Sequence, residues 1–329
     1  MLKNIKKHTN NSPENSLYLR QKRLNKTFGF LAGLYRYVLL ISMSYVILYP
    51  FIYMLSTSFK TPAAFLDPSI VWIPRVFTLE NYKDALEALY LPKSLYNTLL
   101  YEMVSAGIEI ITCSIAAYGM ARFDFKIKPI LNVFLILLIF IPSQMIIIPM
   151  MMNFANFDVL GILGFIGKLT GANLRVNTLN TVIPFYLPSL FAVGLRSGII
   201  IFIYIQFFKG LPKELEEAAW IDGAGPIKTY IKIALPSSSV AILTVSVFSM
   251  IWHWNDYYLA VMYTSGDFPF AVRLHTIRET LSTMSIWGNS RSAAICMAAS
   301  AIFVLPMLIM YMILQKKFIK SIDRVGITG

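Results

Sequence analysis

The sequence contains little charge for its length. Only 14% of its 329 residues are Asp, Glu, Lys or Arg, whereas a soluble domain usually has about 25%. Hydrophobic residues make up 57% of the chain, and long apolar runs alternate with short polar stretches. That alternation is typical of repeated membrane spans. The composition therefore predicts an integral membrane protein.

Cysteine and histidine are also scarce. The two cysteines, Cys113 and Cys296, lie in separate apolar segments, which excludes a disulfide framework and a Cys-X-X-Cys site. We interpret both as small apolar core residues. The three histidines are scattered without the spacing of metal ligands, so no metal site is predicted.

The net charge of +12 does not indicate a nucleic-acid partner, because the basic residues flank apolar segments and line no soluble face. Their distribution instead predicts a membrane topology. With the N-terminus inside the cell, the inner segments hold 19 Lys and Arg and the outer segments hold 9. This bias predicts a multi-pass membrane protein with both termini in the cytoplasm.

Hydropathy predicts an all-α fold of about six transmembrane helices. The apolar run from Leu34 to Phe59 is long enough to be a retained first span and too long for a cleaved signal peptide. The predicted spans cover residues 34–57, 94–118, 129–152, 181–207, 237–263 and 294–315. The chain then divides into a cytoplasmic segment 1–33, a six-span domain 34–315 and a cytoplasmic tail 316–329. Prolines inside the third, fourth and sixth spans indicate kinks, either around a cavity or from ordinary packing.

The inner loop 208–236 has the pattern of two short helices with a break between them. Pro212 and Pro226 suit the first turn of each helix, and Gly223 suits the left-handed conformation that ends the first one. In the second helix, residues 227, 230, 231 and 234 share one apolar face. The pattern is typical of a docking element, although an amphipathic loop on the membrane surface fits it equally well.

The same loop resembles the EAA signature of binding-protein-dependent ABC importer permeases. The match comprises Glu217, Ala218, Ala219, Asp222, Gly223, Ile233, Leu235 and Pro236 with the family's spacing. Four further runs resemble the carbohydrate class of these permeases and, within it, the maltose-type second permease subunit. They lie at residues 49–60, 72–82, 116–123 and 252–257.

The resemblance implies a type I ABC importer permease fold and a role in transport without enzymatic activity. It implies that the signature residues form a coupling helix that seats in an ATPase subunit. The implied partners are a second permease subunit, two ATPase subunits and an extracellular solute-binding protein. ATP and Mg would be bound by those ATPases, since residues 161–170 have the wrong glycine spacing for a phosphate loop and no Ser or Thr follows Lys168.

Ionisable residues inside spans are expensive and usually face a cavity or a partner. The candidates are Glu102, Glu109 and Arg196, and a Glu109–Arg196 ion pair is one arrangement that would satisfy two of them. A polar and aromatic cluster in the fifth span is a candidate substrate pathway, since sugars offer hydroxyl groups and C–H faces. Its members are Trp252, Trp254, Asn255, Asp256 and Tyr257. An interfacial aromatic belt is the alternative interpretation.

Two other classes of membrane protein remain open at this point. An ion-coupled secondary transporter would use Glu102, Glu109 and Asp256 as ion sites, but it has no use for the 212–236 loop and no inverted repeat is visible. A membrane scaffold without transport activity is the third class. A co-purifying ATPase would favour the importer over both.

The orientation can be tested by single-cysteine labelling. A cysteine placed in the 153–180 loop should react with a membrane-impermeant reagent on intact cells, because the positive-inside bias puts that loop outside. Labelling that requires cell lysis would reverse the topology.

Overall fold

A computed structural model describes residues 13–70, 72–286, 288 and 290–326. Residues 1–12 of the predicted N-terminal segment and residues 327–329 of the predicted tail lie outside this part of the chain. Throughout the described residues the regular structure is helical, and β-structure is limited to isolated bridges between Lys60 and Phe77 and between Phe157 and Val176. The predicted all-α fold is confirmed.

The helices of the first half are numbered in chain order. They are α1 Pro13–Ser58, α2 Pro62–Leu66, α3 Glu80–Ala88, α4 Leu91–Asn97, α5 Val104–Arg122, α6 Lys128–Phe140, α7 Ser143–Ala155 and α8 Ile162–Thr170. A π-helical turn, Thr98–Met103, joins α4 to α5. The result is one apolar helix, Leu91–Arg122, which is long enough to cross a membrane.

The second half contains shorter helices and one long one. They are α9 Ile183–Leu190, α10 Ser197–Gly210, α11 Glu214–Ile221, α12 Pro226–Thr229, α13 Leu235–Ser237, α14 Ser239–Trp254, α15 Tyr258–Tyr263, α16 Phe270–His275, α17 Ile277–Thr283 and α18 Ser290–Gly326. A second π-helical turn, Tyr230–Ala234, lies between α12 and α13. The helix α18 continues through most of the predicted tail.

Three of the six predicted spans are broken helices. The third divides into α6 and α7, the fourth into α9 and α10, and the fifth into α14 and α15. Among the described residues, three helices are long and apolar enough to cross a membrane unaided: Leu24–Ser58, Leu91–Arg122 and Arg291–Lys316. All six predicted apolar segments are helical, but the sequence predicted continuous spans where half of them are interrupted.

The three breaks differ in their local structure. Ile141 is extended because it precedes Pro142, and α7 starts directly after that proline. Between α9 and α10 the chain passes through Ala192 and Arg196, both with left-handed backbone. Asn255 follows the last residue of α14, and Tyr257 precedes the first residue of α15.

Polar side chains of α5 donate to backbone carbonyls of α9. Ser105 Oγ donates to Phe185 O at 2.7 Å, and Thr112 Oγ1 donates to Ser189 O at 2.6 Å. Of these two carbonyls, Ser189 O lies in the last turn of α9, where a helix leaves its carbonyls with few partners of its own. A broken helix inside a bilayer is tolerated only when neighbours supply such bonds.

The helices pack closely through small residues. The helix α10 lies against α5 and α6, and α14 lies against α5 and α18. At the crossing with α6, an added methyl group on Gly198 would lie 3.0 Å from Leu138 Cβ and 3.1 Å from Leu138 C. Close helix approach through glycine is a common packing device in membranes, where burial from water supplies no driving force.

The segment between α1 and α4 is tied to the last turn of α1. The Asn81 amide donates to Ser58 O and to Lys60 O, each at 2.9 Å. Arg291 of α18 forms an ion pair with Asp84 of α3 at 2.7 Å. These contacts hold the segment against both α1 and α18.

The close crossing at Gly198 can be tested against a matched glycine. Gly198→Ala should lower the free energy of unfolding by about 1–3 kcal/mol, because the methyl group meets the backbone of α6. Gly107→Ala should be neutral or stabilising by roughly 0.5–1 kcal/mol, because that helical glycine has nothing within 4 Å of an added methyl group. Thermal unfolding in detergent measures both, and equal shifts would contradict the packing assigned here.

Candidate functional site

The loop 208–236 has the predicted helix–break–helix form. The first helix, α11, ends before Gly223, which has a left-handed backbone with φ of +78°. The second helix starts at Pro226, as expected. The segment Pro226–Ser237 then bends by 79° into α14. The helix–break–helix form predicted for this loop is confirmed. The bend connects the loop directly to α14.

A buried ion pair holds the loop against the end of α5. Arg122 Nε donates to Glu216 Oε1 at 3.0 Å, and both side chains are only 4% exposed. A second guanidinium nitrogen donates to Leu211 O at 2.8 Å. Farther along, Tyr230 OH and Ser114 Oγ lie 2.9 Å apart. Sequence reasoning missed this anchor, although an arginine ending a span opposite an acidic loop was a visible signal.

A second ion pair, in the turn between α5 and α6, is exposed to solvent and contributes less to the position of the loop. Lys128 Nζ donates to Asp124 Oδ1 at 2.9 Å, and this hydrogen bond lowers the pKa of Asp124 below its ordinary value. The Asp124 side chain is almost fully exposed. Exposed pairs contribute little because solvent screens them, so the buried Arg122–Glu216 pair is the one that positions the loop.

The signature residues of the loop divide into exposed and buried ones. Glu217, Ala218, Asp222, Gly223 and Pro236 are exposed, Ile233 and Leu235 are half-buried, and Ala219 is buried within this chain. Ala218 rather than Ala219 is thus available to a partner surface. The assignment of these residues to ATPase coupling stays a prediction.

The single apolar face predicted for the second loop helix is wrong. Tyr230 and Ala234 pack inward with the core of α5 and α10, whereas Ile227 and Ile231 are 76% and 53% exposed. The π-helical turn at Tyr230–Ala234 widens the helix and separates the two pairs. Ile221 is 87% exposed as well, so three isoleucines of this loop are left uncovered by the described residues.

Three buried titratable side chains meet where α5 and α14 cross. His253 Nδ1 lies 2.9 Å from Glu102 Oε2, and His253 Nε2 lies 3.0 Å from Glu109 Oε2. The side chains are at most 4% exposed. Because Glu102 and Glu109 are seven residues apart, they share a helix face and hold the imidazole between them. A doubly protonated imidazole donates to both carboxylates in this geometry.

The Glu109–Arg196 ion pair considered from the sequence is wrong. Glu109 accepts hydrogen bonds from Ser197 and His253, and Ser249 Oγ lies 3.4 Å from its second oxygen. The Arg196 guanidinium lies over the Trp252 ring, 5.0 Å from its centroid. The sequence gives no sign of the role of His253, because its partners Glu102 and Glu109 are about 150 residues away along the chain.

A cavity of about 470 Å³ lies next to this cluster. Its lining includes residues from all three helix breaks: Pro142, Arg196 and Asp256. Glu102 and His253 also line it. Discontinuous helices with irregular backbone are tolerated in a membrane where they line a cavity, and such positions are typical of solute sites.

The predicted pathway residues are dispersed. Asp256 lines the cavity and Oδ1 accepts from Leu259 N at 3.2 Å. Trp254 is buried against Phe303 and donates to its carbonyl at 3.1 Å. The other three lie apart from the cavity lining: Asn255 is exposed, Trp252 stacks on Phe248, and Tyr257 lies against His275. Their roles in a pathway stay predictions.

Within the described residues, no three His, Cys, Asp or Glu side chains are grouped to hold a metal ion.

Known proteins resemble this chain over most of its length. The family model for binding-protein-dependent transport system inner membrane components matches residues 110–324. The melibiose/raffinose/stachyose import permease protein MelC of Bacillus subtilis is 29% identical, covering 85% of this chain and 91% of that protein. The trehalose/maltose transport system permease protein MalG of Thermococcus litoralis is 27% identical, covering 88% and 94%.

A solved structure shows the same fold. It is the crystal structure of a bacterial ABC transporter involved in the import of the acidic polysaccharide alginate. The match has a TM-score of 0.64 at 19% identity and covers 90% of this chain and 98% of that one.

The loop anchor can be tested by removing one partner of the pair. Arg122→Ala should leave the Glu216 carboxylate buried and unpaired, a loss of about 3–5 kcal/mol that opens the loop. Trypsin cleavage after Lys213 should then become at least roughly tenfold faster in the detergent-solubilised protein. The control Glu217→Ala removes an exposed neighbouring carboxylate and should leave cleavage unchanged. Unchanged cleavage in Arg122→Ala would contradict the anchor.

Proposed function

Because this chain belongs to the family of binding-protein-dependent transport system inner membrane components, we propose that it forms half of the translocation pathway of an ATP-driven carbohydrate importer. We propose an oligosaccharide as the solute, which the sugars in the names of the melibiose/raffinose/stachyose and trehalose/maltose permeases support. The chain is a transport subunit, and ATP hydrolysis belongs to two partner ATPase subunits that bind the ATP and Mg.

The observation that supports this proposal best is the form of the 208–236 loop. It presents exposed Glu217 and Ala218, together with the uncovered isoleucines 221, 227 and 231, while Arg122 and Glu216 hold it in place. A rigid element with an apolar, uncovered surface is suited to a groove on another protein. We propose that this groove belongs to the ATPase, which puts the loop and both termini in the cytoplasm.

The loop is connected mechanically to the cavity. Arg122, which anchors the loop, ends the helix that carries Glu102, and the twenty residues between them span about 30 Å of helix. A displacement of the loop would therefore move α5 and α14 relative to each other. Alternating access would follow from that movement once a second permease subunit completes the pathway and a binding protein delivers the solute from outside.

An ion-coupled secondary transporter is the alternative function. Its candidate ion sites would include Glu102 and Glu109, yet both carboxylates already contact His253. Such a transporter would also leave the anchored loop without a role. The importer gives the loop a role that the ion-coupled transporter does not.

Coupling can be tested at the exposed face of the loop. Ala218→Asp would place a charge at the proposed ATPase surface, at a cost of several kcal/mol if it is desolvated there. Gly223→Val would put a β-branched residue at φ of +78°, adding roughly 1–3 kcal/mol of strain. Both should reduce solute-stimulated ATP hydrolysis or detach the ATPase while the spans still insert.

Co-purification of the ATPase and stimulated hydrolysis are the measurements. Ala172→Asp is the matched control, because it introduces the same charge at an exposed alanine in the opposite, outer loop. Full assembly and full stimulation in both loop variants would overturn the assignment of this loop to coupling.

A further inference from the structure

The short helix α8, Ile162–Thr170, has an apolar face that the described residues leave uncovered. Four large side chains recur along it at the spacing i, i+3, i+4 and i+7, which places them on one side of an α-helix. None of the nine residues of the helix is buried. The four are Ile162, Phe165, Ile166 and Leu169, which are 50%, 65%, 39% and 72% exposed. A contiguous apolar face of this kind marks a contact with a partner or with a membrane.

The opposite side of α8 packs against its own loop. An added methyl group on Gly167 would lie 2.5 Å from Ala172 O. One on Gly164 would lie 2.6 Å from Asp158 Oδ2. The Asp158 carboxylate also accepts hydrogen bonds from Leu163 N and Gly164 N, each at 2.9 Å. These contacts fix the rotation of the helix about its axis, so that the glycines face the loop and the apolar side chains face away from it.

The two strands of chain that lead to and from α8 are joined near the end of α7. Phe157 and Val176 pair through two backbone hydrogen bonds, with N–O distances of 2.9 and 3.2 Å. Thr178 N donates to Phe154 O, in the last turn of α7, at 2.9 Å. Only a few residues separate α8 from this pairing on either side. The helix therefore lies close to the apolar segments α7 and α9 that precede and follow the loop.

The partner that fits this surface is the membrane. The helix α7 belongs to the third predicted span and α9 to the fourth, so both bring the loop to the bilayer. The surface of α7 is itself apolar and uncovered, with Ile148 and Met152 61% and 63% exposed. Lys168 is exposed at the flank of the apolar face of α8, where its ammonium group can reach a lipid phosphate.

A protein partner fits this surface less well. A standard protein–protein interface takes about 20–30 residues from each side and carries about one hydrogen bond per 100–200 Å². The uncovered face of α8 offers four apolar side chains and no side-chain hydrogen-bonding group. An amphipathic helix in a membrane interface requires only an apolar face and polar or cationic residues beside it.

We propose that α8 is an interfacial helix that lies in the plane of the membrane, with its four apolar side chains at the boundary between headgroups and acyl chains and Lys168 at the level of the phosphates. The helix anchors the loop between α7 and α9 to the membrane surface. This inference goes beyond the proposed function, because it depends neither on the solute nor on the ATPase.

The test uses the assembled importer in nanodiscs of phosphatidylcholine and phosphatidylglycerol, with a fluorescent label on one cysteine of α8. Cys113→Ala and Cys296→Ala remove the native thiols of this chain, and the partner subunits are prepared without reactive cysteines. Phe165→Cys places the label on the apolar face, and Lys168→Cys is the matched control on the flank of the same helix. Quenching is measured with brominated phosphatidylcholine in the bilayer and with iodide in the water.

Bromine atoms near the headgroups should quench the label at position 165 roughly twofold more than bromine atoms near the bilayer centre, because an interfacial helix is buried only about 5–10 Å. Iodide should quench the label at position 168 more strongly than the label at position 165. Leu169→Cys provides a second label on the apolar face, and it should behave like the label at position 165.

Equal access of iodide to positions 165 and 168 would overturn the inference, because the apolar face would then be in water. Quenching that is strongest near the bilayer centre would also overturn it, since α8 would then be part of a span. A label at position 165 that neither bromine nor iodide reaches would mean that a protein covers the face instead of lipid. In each case the proposed function would stand, because co-purification of the ATPase tests it separately.

Discussion

Backbone amides and carbonyls inside a bilayer must find their hydrogen-bond partners within the protein. Three predicted spans of this chain are interrupted, so the backbone groups at each interruption need partners other than the regular helical ones. At one of these breaks another helix provides such a bond: Thr112 of α5 donates to Ser189 O in the last turn of α9. Each break also contributes residues to one cavity. The polar site thus exists where the requirement for internal bonding is met by side chains instead of by a regular helix.

The helix α5 links the two functional regions. Glu109 in α5 and Glu102 in the π-helical turn before it hold His253, and the last residue of α5, Arg122, binds the loop through Glu216 and Leu211. Both connections are buried, so neither is screened by solvent. Packed helices and short-range polar contacts therefore connect the loop with the cavity, and no flexible segment lies between the loop anchor and the His253 cluster.

Apolar runs and turn residues were sufficient to predict the six apolar helical segments and the two loop helices, because those signals are local. Gly223 and Pro226 specified the loop break in the same way. The interruptions at residues 191–196 and 255–257 were not predicted, since tertiary contacts stabilise them and no local sequence pattern requires them. The partner of Glu109 was assigned wrongly for a similar reason: Arg196 is an attractive cation in sequence, but the crossing of α5 with α14 brings His253 to the carboxylate instead. The π-helical turn at Tyr230–Ala234 likewise changed which isoleucines face outward.

The first helix is peripheral to all of this. The apolar window of α1 is 0% buried inside the chain, compared with 33% for the α4–α5 helix and 28% for α18. It rests on α18 and, at its last turn, on the segment between α1 and α4, and it contributes nothing to the lining of the cavity. The functional centre is thus an inner set of helices to which α1 has been added. A change in the length or the apolar surface of α1 would therefore leave the residues that line the cavity unaltered.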